Sequence, residues 1–258
     1  MPGLSAALIC RNEEENLPAW LESVSAFADE VVAVDSGSTD NSLAVLKEAG
    51  AKVRSRDWTG YADQRNAAMD MCTGDWIVFL DADELVDPEL AASLNSLKQD
   101  KTGEYAGYEL AFKVFFFGRF LRHGGFFPEH HLRLFQRGKG GWAKRQVHER
   151  LEVQGKVGRL PGYVEHYSYD TVGEYISRMQ TYSEQAARQM HLSGKKTTPL
   201  DAWFHGFWSF FNRYLLRGGF LDGFQGYLAA RMESLYTLTK YTRLWEMKKG
   251  GAQKHETE

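Results

Sequence analysis

The chain has 258 residues, enough for one large domain or one domain with an appended region, and its 43% hydrophobic and 25% charged residues are typical of globular proteins. This composition excludes collagen, a coiled coil and wholesale disorder, and two cysteines are too few for a disulfide scaffold. The net charge of −3 hides an asymmetry: residues 1–100 hold 7 basic and 19 acidic residues, whereas residues 101–258 hold 24 and 15. Either the acidic half binds a cation and the basic half an anionic partner, or the charges are divided by chance over a mixed surface.

The sequence indicates no targeting or membrane-spanning segment. The N-terminus lacks a basic region and its apolar run is too short for a signal peptide. No stretch of about 18 residues is free of charge, so we expect no transmembrane helix. Together with the two cysteines, this predicts a reduced, cytoplasmic protein.

The first hundred residues alternate predicted strands and helices. Short apolar runs predict strands over residues 4–10, 30–35, 51–55 and 76–80. Helical spacing predicts helices over residues 16–28, 41–49 and 61–71, with a further helix opening at Asp87-Pro88. This alternation predicts an α/β fold with a mostly parallel sheet that is covered on both faces.

The pattern changes after about residue 105. Residues 108–117 predict a strand, and the Gly-punctuated segments 131–135, 142–153 and 163–166 predict antiparallel strands and loops that complete the sheet. Thr171 and Glu174 predict a capping box that opens a helix over 171–192, and 199–247 is mostly helical with a break near Gly218-Gly219. The predicted organisation is a domain over 1–170 with halves 1–100 and 101–170, a helical region over 171–247 and a polar tail over 248–258.

Polar residues follow each of the first four predicted strands, at the sheet edge where open parallel sheets bind ligands. They are Arg11-Asn12-Glu13, Asp35, Arg56-Asp57 and Asp81-Ala82-Asp83-Glu84. Any one of them could cap a turn or a helix, but together they favour a site that binds hydroxyls, amides or a divalent cation. Asp81 and Asp83 point the same way in an extended segment, and Mg²⁺ or Mn²⁺ takes one or two carboxylates with diphosphate and water.

These motifs resemble the family 2 glycosyltransferases of GT-A fold. The matching pieces are Leu8-Ile9-Cys10-Arg11-Asn12-Glu13 with Asn16, Val34 to Asp40, Gln64-Arg65-Asn66-Ala67, Gly74-Asp75-Trp76 and Leu80 to Glu84. Further pieces are similar to the lipopolysaccharide-core subgroup, and within it to a β-1,4-glucosyltransferase. They are Arg133-Leu134-Phe135, Val147-His148-Glu149, His166 to Tyr169 and Gly218 to Gly223.

The resemblance implies a metal-assisted hexose transfer from a UDP-sugar, with inversion at the sugar carbon. The implied nucleotide-sugar-binding residues are Cys10, Arg11, Asn12, Glu13, Asp35, Asp57, Gln64, Asn66, Asp81, Ala82 and Asp83. Carboxylates can accept hydrogen bonds from ribose hydroxyls or the uracil N–H, whereas Gln64 and Asn66 could instead be ordinary capping residues. Asp83 and Asp81 are the implied ligands of Mg²⁺ or Mn²⁺, which would stabilise the leaving diphosphate.

Single displacement needs a base for the acceptor hydroxyl, and Glu149 is the candidate. Glu84 and His148 are competing bases, and Glu149 could instead form an ion pair with Arg145 or Arg150. His166 lies in a predicted strand-to-helix loop and is either a further metal or diphosphate ligand or an ordinary hydrogen-bonded histidine.

Two other functions compete with the transferase. A nucleotidyltransferase would carry a Gly-rich, basic loop after the first strand, but this chain has Arg11 followed by acidic residues there. A non-catalytic glycan- or membrane-binding module would not need Asp81, Asp83 and Glu149 together.

Residues 203–245 hold 13 of the 35 aromatic residues, with arginines and lysines between them. Such a segment can lie in a membrane interface, and residues 113–159 add 11 basic against 3 acidic residues. Both features suit an anionic glycolipid acceptor such as a lipopolysaccharide core, at the inner face of the cytoplasmic membrane. The alternatives are that the aromatic stripe packs against the sheet or forms a homodimer contact; no nucleic-acid partner is expected.

Overall fold

The computed structural model describes residues 3–99, 103–143, 150–169 and 171–253. The chain forms two compact units, the first made of Met1–Lys113 and Glu129–His166, and the second of Val114–Pro128 and Tyr167–Glu258. The segment 114–128 therefore groups with the helical region, whereas the sequence pattern assigned it to the sheet domain. It does so because Phe116 packs against Tyr175 and Met179 of that region.

The strands of the described residues are eleven in number. They are β1 (Leu4–Cys10), β2 (Glu30–Asp35), β3 (Lys52–Ser55), β4 (Trp76–Phe79), β5 (Glu84–Val86), β6 (Gly107–Phe116), β7 (Arg119–Phe120), β8 (Glu129–Gln136), β9 (Gly140–Ala143), β10 (Arg150–Val153) and β11 (Val157–Tyr169). The main sheet has the order β3-β2-β1-β4-β8-β6-β11-β5, with β7 paired to β6, and β9 and β10 form a separate pair.

The first four strands are parallel, and the register brings their carboxyl ends to one edge. Cys10 lies opposite Asp35, and Asp35 lies opposite Ser55. The pairing of β4 with β8 and the pairing of β8 with β6 are antiparallel. The predicted mixed sheet is therefore correct, and the polar residues that follow β1, β2, β3 and β4 share an edge.

Four helices belong to the first unit: α1 (Leu17–Ser25), α2 (Ser42–Glu48), α3 (Tyr61–Met69) and α4 (Pro88–Leu97). Side chains alternate across a strand, so β1 supplies Leu4, Ala6 and Leu8 to the core under α1, α2 and α4. Ala7 points the other way, into the core under α3. Both faces are covered, as parallel sheets require.

Two local features depend on strand pairing. The run 142–153, predicted to contribute antiparallel strands and loops, contains the antiparallel pair β9 and β10, with Trp142 opposite Leu151, but this pair is separate from the main sheet. The strand β5 was not predicted, because its three residues are too short to show a period. It pairs antiparallel with β11, where Glu84 lies opposite His166.

The second unit contains α5 (Val172–Leu192), α6 (Pro199–Phe211) and α7 (Gly223–Gln253). Thr171 caps α5 by accepting from the Glu174 N–H, as predicted, and Thr198 with Asp201 forms a full capping box on α6. The predicted break at Gly218-Gly219 is confirmed: a π turn over Asn212–Leu216 and a 3₁₀ turn over Gly219–Asp222 separate α6 from α7. None of the described helices combines the length and apolarity needed to span a membrane.

Helices α6 and α7 lie side by side through small residues. The Ser234 hydroxyl donates to the Gly206 carbonyl at 2.7 Å, and a Cβ at Gly206 would lie 3.2 Å from the Leu238 Cβ. The close approach buries the α7-facing side of α6, whose Ala202 and Gly206 are its buried residues. The larger side chains of α6 are left on its other side.

Candidate active site

The loops that follow β1 and β2 are joined by hydrogen bonds. The Asn12 N–H donates to the Ser38 hydroxyl at 2.9 Å, and the Asn12 side-chain oxygen accepts from the Thr39 N–H at 2.8 Å. Asn12 holds a left-handed backbone with φ of 57°, which asparagine tolerates better than most residues. The Glu13 N–H is likewise bonded to the Ser42 hydroxyl at 2.8 Å. These bonds fix two loops around a small cavity at the carboxyl edge of the sheet, lined in part by Asn12, Glu13 and Thr39.

Asp35 ends β2 as a buried carboxylate with 1% exposure. It accepts from the backbone N–H groups of Gly37 and Ser38, at 3.0 and 3.2 Å. Asp35 therefore stabilises a turn, which is one of the two roles that the sequence allowed; the other is nucleotide binding. The Ser36 N–H in turn donates to the Cys10 carbonyl at 2.9 Å, so the turn is tied to the end of β1.

Cys10 is a buried residue whose thiol lies 3.9 Å from the Val34 carbonyl. Burial, and next the charge of Asp35, raise the pKa of the Cys10 thiol to about 12. A thiol this weakly acidic is neutral at physiological pH and is not a nucleophile. Cys10 can therefore contribute only its backbone and its bulk to a nucleotide site.

Gln64 is a completely buried side chain on α3 that connects two of these loops. Its amide nitrogen donates to the Ser36 hydroxyl at 3.2 Å and to the Asp57 carbonyl at 3.0 Å. The Asp57 residue itself is exposed, so its carboxylate faces solvent at the carboxyl edge of β3. Gln64 thus positions the Asp57 segment, and Asp57 keeps a charged group accessible to a ligand.

Asn66, also on α3, holds β9. Its amide nitrogen donates to the Trp142 carbonyl at 2.9 Å, and its amide oxygen accepts from the Trp142 N–H at 3.0 Å. The amide nitrogen and the amide oxygen of Asn66 thus both bond to the backbone of Trp142. This arrangement positions Trp142 and fits the structural role that the sequence left open for Asn66.

Asp81 lies between two arginines that sequence reasoning did not place in the site. The Arg65 Nη2 is 3.1 Å from the Asp81 Oδ1, and the Arg133 Nη2 is 3.4 Å from the Asp81 Oδ2. Arg133 also bonds the Glu84 Oε1 at 2.7 Å, and Glu84 is 1% exposed. Two carboxylates and two guanidinium groups thus form one network at the end of β4. In the sequence, both arginines lie in motifs that resemble the family, Gln64-Arg65-Asn66 and Arg133-Leu134-Phe135, but the resemblance assigned them no role.

The network shifts the acidities of its members. Burial opposes ionisation of Asp81, but the charges of Arg133 and then Arg65 outweigh it and hold the pKa of Asp81 at about 2. Burial raises the pKa of Glu84 above its usual value, although Arg133 partly offsets this effect. The buried and ion-paired Glu84 is a poor general base, because proton uptake would cost its bond to Arg133.

Asp83, directly before β5, lies beside His166, whose Nε2 is 3.5 Å from the Asp83 Oδ2. His166 was predicted in a strand-to-helix loop, but it lies within β11, because it pairs with Glu84 of β5. Burial opposes protonation of His166, but the hydrogen bond and charge of Asp83 raise its pKa. A carboxylate and an imidazole are ligands that Mn²⁺ accepts, and a divalent ion at a diphosphate needs only one or two protein carboxylates. The pair therefore fits the implied metal. No group of three or more ligating side chains occurs among the described residues.

The predicted base lies outside the described residues, as does its competitor. Glu149 and His148 fall in the segment 144–149 between β9 and β10. The described neighbour Arg150 is exposed at the start of β10. The role of Glu149 therefore stays a prediction.

A parallel α/β sheet with carboxylates at its edge, extended by antiparallel strands, is the arrangement of the GT-A fold, whose ligands bind at that edge. The family model for glycosyl transferase family 2 matches residues 5–150. The chain belongs to glycosyltransferase family 2, and it is an enzyme of that family.

Relatives match almost the full length of the chain. It is 31% identical over 255 residues to the lipopolysaccharide core biosynthesis glycosyltransferase LpsC of Rhizobium meliloti, covering 94% of this chain and 92% of LpsC. An uncharacterised glycosyltransferase of Rickettsia typhi is 27% identical over 262 residues, covering 96% of this chain and 87% of that protein. The resemblance to the lipopolysaccharide-core group is thereby confirmed.

A solved structure has the same fold. A mannosyltransferase from Pyrobaculum calidifontis, in complex with GDP-Man and Mn²⁺, superposes with a TM-score of 0.55 and 14% identity. The match covers 95% of this chain and 87% of that one. The GT-A fold with a C-terminal helical extension is confirmed.

Proposed function

We propose that the enzyme transfers a hexose, glucose, from a UDP-sugar to an inner-core sugar of lipopolysaccharide or a similar anionic glycolipid, with inversion at the sugar carbon. The observation that carries the proposal is the juxtaposition of Asn12, Asp57, Asp81 and Asp83 at one sheet edge in a family 2 glycosyltransferase. The likeness to LpsC, a lipopolysaccharide core biosynthesis enzyme, supports the acceptor class.

The nucleoside would bind at the loops after β1, β2 and β3. The exposed carboxylate of Asp57 is suited to accept from ribose hydroxyls or the uracil N–H. Asp35, whose oxygens accept from Gly37 and Ser38, would act mainly by holding the shape of its loop. Arg11 is exposed beside this loop, where its charge can meet an anionic part of the donor.

Asp83 and His166 would hold a divalent ion beside the diphosphate, and Asp81 would contribute through its two arginines. When bound, Mg²⁺ or Mn²⁺ stabilises the negative charge that develops on the leaving UDP. The structural relative in complex with GDP-Man and Mn²⁺ is consistent with this ion class. That relative binds a guanine nucleotide, so the proposed preference of this enzyme for a uridine nucleotide is tested below.

The acceptor hydroxyl would lose its proton to Glu149. Glu84 is buried and bonded to Arg133 at 2.7 Å, which argues against it as the base. Arg65 and Arg133 would keep the Asp81 carboxylate ionised, and Arg133 would orient Glu84 during transfer. The reaction then needs one displacement at the sugar carbon, with the acceptor oxygen attacking as UDP leaves.

Turnover of nucleotide sugars tests this function. We expect UDP release from UDP-glucose in the presence of Mn²⁺ and a lipopolysaccharide core acceptor, slow release without acceptor, and none with chelator. GDP-mannose and ADP-glucose serve as controls at the same concentration. Faster turnover of GDP-mannose would overturn the uridine donor, and turnover unaffected by chelator would overturn the metal.

We also propose that the enzyme works at an anionic membrane surface through an exposed apolar face on α6 and the α6–α7 connection, here called the apolar face. It comprises Leu200, Trp203, Phe204, Phe207, Trp208, Leu215, Leu216, Phe220, Leu221 and Phe224, each of them exposed. Trp203 is 61% and Phe224 is 69% exposed. Soluble monomers rarely expose so many large contiguous apolar side chains without an interaction that covers them.

The apolar face is built on a rigid support. The rings of Trp203 and Phe207 stack at 5.6 Å, and those of Phe207 and Phe211 at 6.2 Å. The connection is held by the buried Asp222, which accepts from the His123 N–H at 2.7 Å and contacts its ring nitrogen at 2.9 Å. A fixed apolar surface enters a membrane interface without first paying the entropy of ordering.

The charges around the apolar face favour an anionic lipid over a second copy of the chain. Segments 114–128 and 199–231 hold five arginines and two aspartates, and one of the arginines, Arg213, is paired with Glu233 at 3.3 Å. Both aspartates are engaged, Asp222 with His123 and Asp201 in the α6 capping box. Two copies meeting at this face would bring the arginines together, whereas anionic headgroups would neutralise them.

Vesicle flotation tests the membrane role. We expect binding to phosphatidylglycerol vesicles at low salt, release by 0.5 M salt, and loss of binding in Trp203→Ser/Phe207→Ser. Tyr182→Ser, which removes an aromatic residue of similar exposure from α5, should bind as the wild type does. Absence of flotation together with a dimer in sedimentation would assign the apolar face to self-association instead.

A further inference from the structure

The first unit contains a cavity of about 540 Å³ that shares only Arg65 and Arg133, among its described lining residues, with the Asp81 network of the proposed donor site. Its walls come from α3, β8, β9 and β10, with smaller parts from β6 and β11. The polar lining is dominated by Arg65, His130, His131, Arg133 and Arg150, with Trp142 beside them.

The lining is strongly biased toward positive charge. Among the described residues it holds three arginines and two histidines against one carboxylate, Glu109. Arg65 and Arg133 are paired with Asp81 and Glu84, and His131 lies 3.5 Å from Glu129, so Arg150 carries the excess charge. Glu109 is paired with Arg159 at 3.0 Å, outside the lining. A cavity with this imbalance attracts an anion and disfavours an uncharged ligand.

Two of the arginines are held in place through one terminal nitrogen each. Arg65 contacts Asp81 through Nη2 alone and lies 4.5 Å above the Trp142 ring. Arg133 contacts Asp81 and Glu84 through Nη2 alone. Each guanidinium has five N–H donors, so both retain donors for a ligand in the cavity that they line. Their geometry is set before any ligand arrives.

Arg150 adds a positive charge that Asp81, Glu84 and Glu109 do not neutralise. It begins β10 opposite Ala143, and no carboxylate in the described part of the chain forms an ion pair with it. A guanidinium donates to phosphate through two parallel bonds, and three guanidinium groups around one cavity suit a tetrahedral anion with several oxygens.

Trp142, which also lines the cavity, carries a buried donor without an acceptor in the described part of the chain. Its side chain is 92% buried, since its exposure is 8%, and its indole N–H has no hydrogen-bond acceptor among the described residues. A buried donor without an acceptor is costly, and indole N–H groups usually find one. An oxygen-rich ligand in the cavity that Trp142 lines could supply it.

We propose that this cavity binds a phosphate group carried by the acceptor sugar, so that the enzyme selects a phosphorylated acceptor. The inference rests on the proposed function for the identity of the reaction. It adds a site for the acceptor that is separate from the diphosphate of the donor, which the Asp83–His166 pair would serve.

Calorimetric titration of glucose 6-phosphate into enzyme that is already saturated with UDP and Mn²⁺ tests the proposal. Filling the donor site first means that any phosphate binding reports on a second site. We expect glucose 6-phosphate to bind at least tenfold more tightly than glucose or glucuronate. Arg150→Ala should weaken glucose 6-phosphate about tenfold or more, the scale of one lost charged hydrogen bond, without changing UDP affinity. Arg188→Ala, which removes an exposed arginine from α5, is the matched control and should change neither affinity.

Four results would overturn the proposal. Equal affinities for glucose 6-phosphate and glucose would remove the anion site, and equal affinities for glucose 6-phosphate and glucuronate would remove the preference for phosphate. Binding of glucose 6-phosphate only in the absence of UDP would assign the cavity to the donor. Equal affinities for Arg150→Ala and the control would remove Arg150 from the site. The UDP titration that precedes each experiment separates these failures from failure of the proposed function, which would appear as absence of UDP binding.

Discussion

The ion pair between Arg133 and Glu84 provides the sharpest test of the network at the end of β4. The Arg133 side chain is 13% exposed and the Glu84 side chain 2%, and their atoms are 2.7 Å apart. Replacing Arg133 by methionine keeps the length of the side chain and removes its charge. It leaves a buried carboxylate without its cation, which typically costs about 3–5 kcal/mol of unfolding free energy.

Urea unfolding followed by circular dichroism measures this loss at pH 7. Lys156→Met is the control, because Lys156 and Glu104 form an exposed pair at 3.5 Å that should contribute less than about 1 kcal/mol. The double variant Arg133→Met/Glu84→Gln should recover part of the stability, because the buried charge is then absent. The coupling between the two positions should be about 1–3 kcal/mol.

Two results would refute this reasoning. A loss below about 1 kcal/mol for Arg133→Met would mean that the pair is not desolvated as the structure indicates. Additive losses in the double variant would mean that the two side chains act independently, and the network would then not organise Asp81.

Four further predictions concern chemistry and pH. Asp83→Ala should abolish transfer and weaken UDP binding only when Mn²⁺ is present, so equal UDP affinities for variant and wild type in Mn²⁺ would contradict the metal role. Glu149→Gln should leave donor binding intact and lower kcat by about 10²-fold or more, whereas near-normal turnover would move the base to another residue. Asp57→Ala should cost about 1–3 kcal/mol of UDP affinity by calorimetry without lowering the melting temperature, because the residue is exposed. Glu30→Gln should lower stability at pH 7: burial opposes ionisation, but bonds to Lys52 and other donors hold the pKa of Glu30 at about 2 against 4.5. That depression contributes about 3 kcal/mol above pH 4.5 and is lost as the pH falls toward 2, so the wild type and Glu30→Gln should converge in acid unfolding.

Much of the fold could be predicted from local patterns. The apolar runs at β1, β2 and β4 and the helical spacing of α1 are period signals that a chain shows without its tertiary structure. The cap at Thr171 and the break at Gly218-Gly219 were likewise predicted, because capping and chain reversal depend on neighbouring residues. The strand β5 was missed, since three residues carry no period and its existence depends on pairing with β11.

The sequence by itself determined the family and the list of polar residues at the strand ends, because these lie within short motifs. Only the tertiary structure decided how they are used. Asp81 and Arg133 are 52 positions apart, and Asn66 and Trp142 are 76 apart, yet each pair is in direct contact. Such contacts depend on strand order and on which face each side chain occupies, and neither can be read from spacing. The aromatic segment shows the same limit, because its composition fits either a buried or an exposed position. In the structure, α6 packs on α7 through Gly206, and Trp203 and Phe207 on the other side of α6 are therefore exposed.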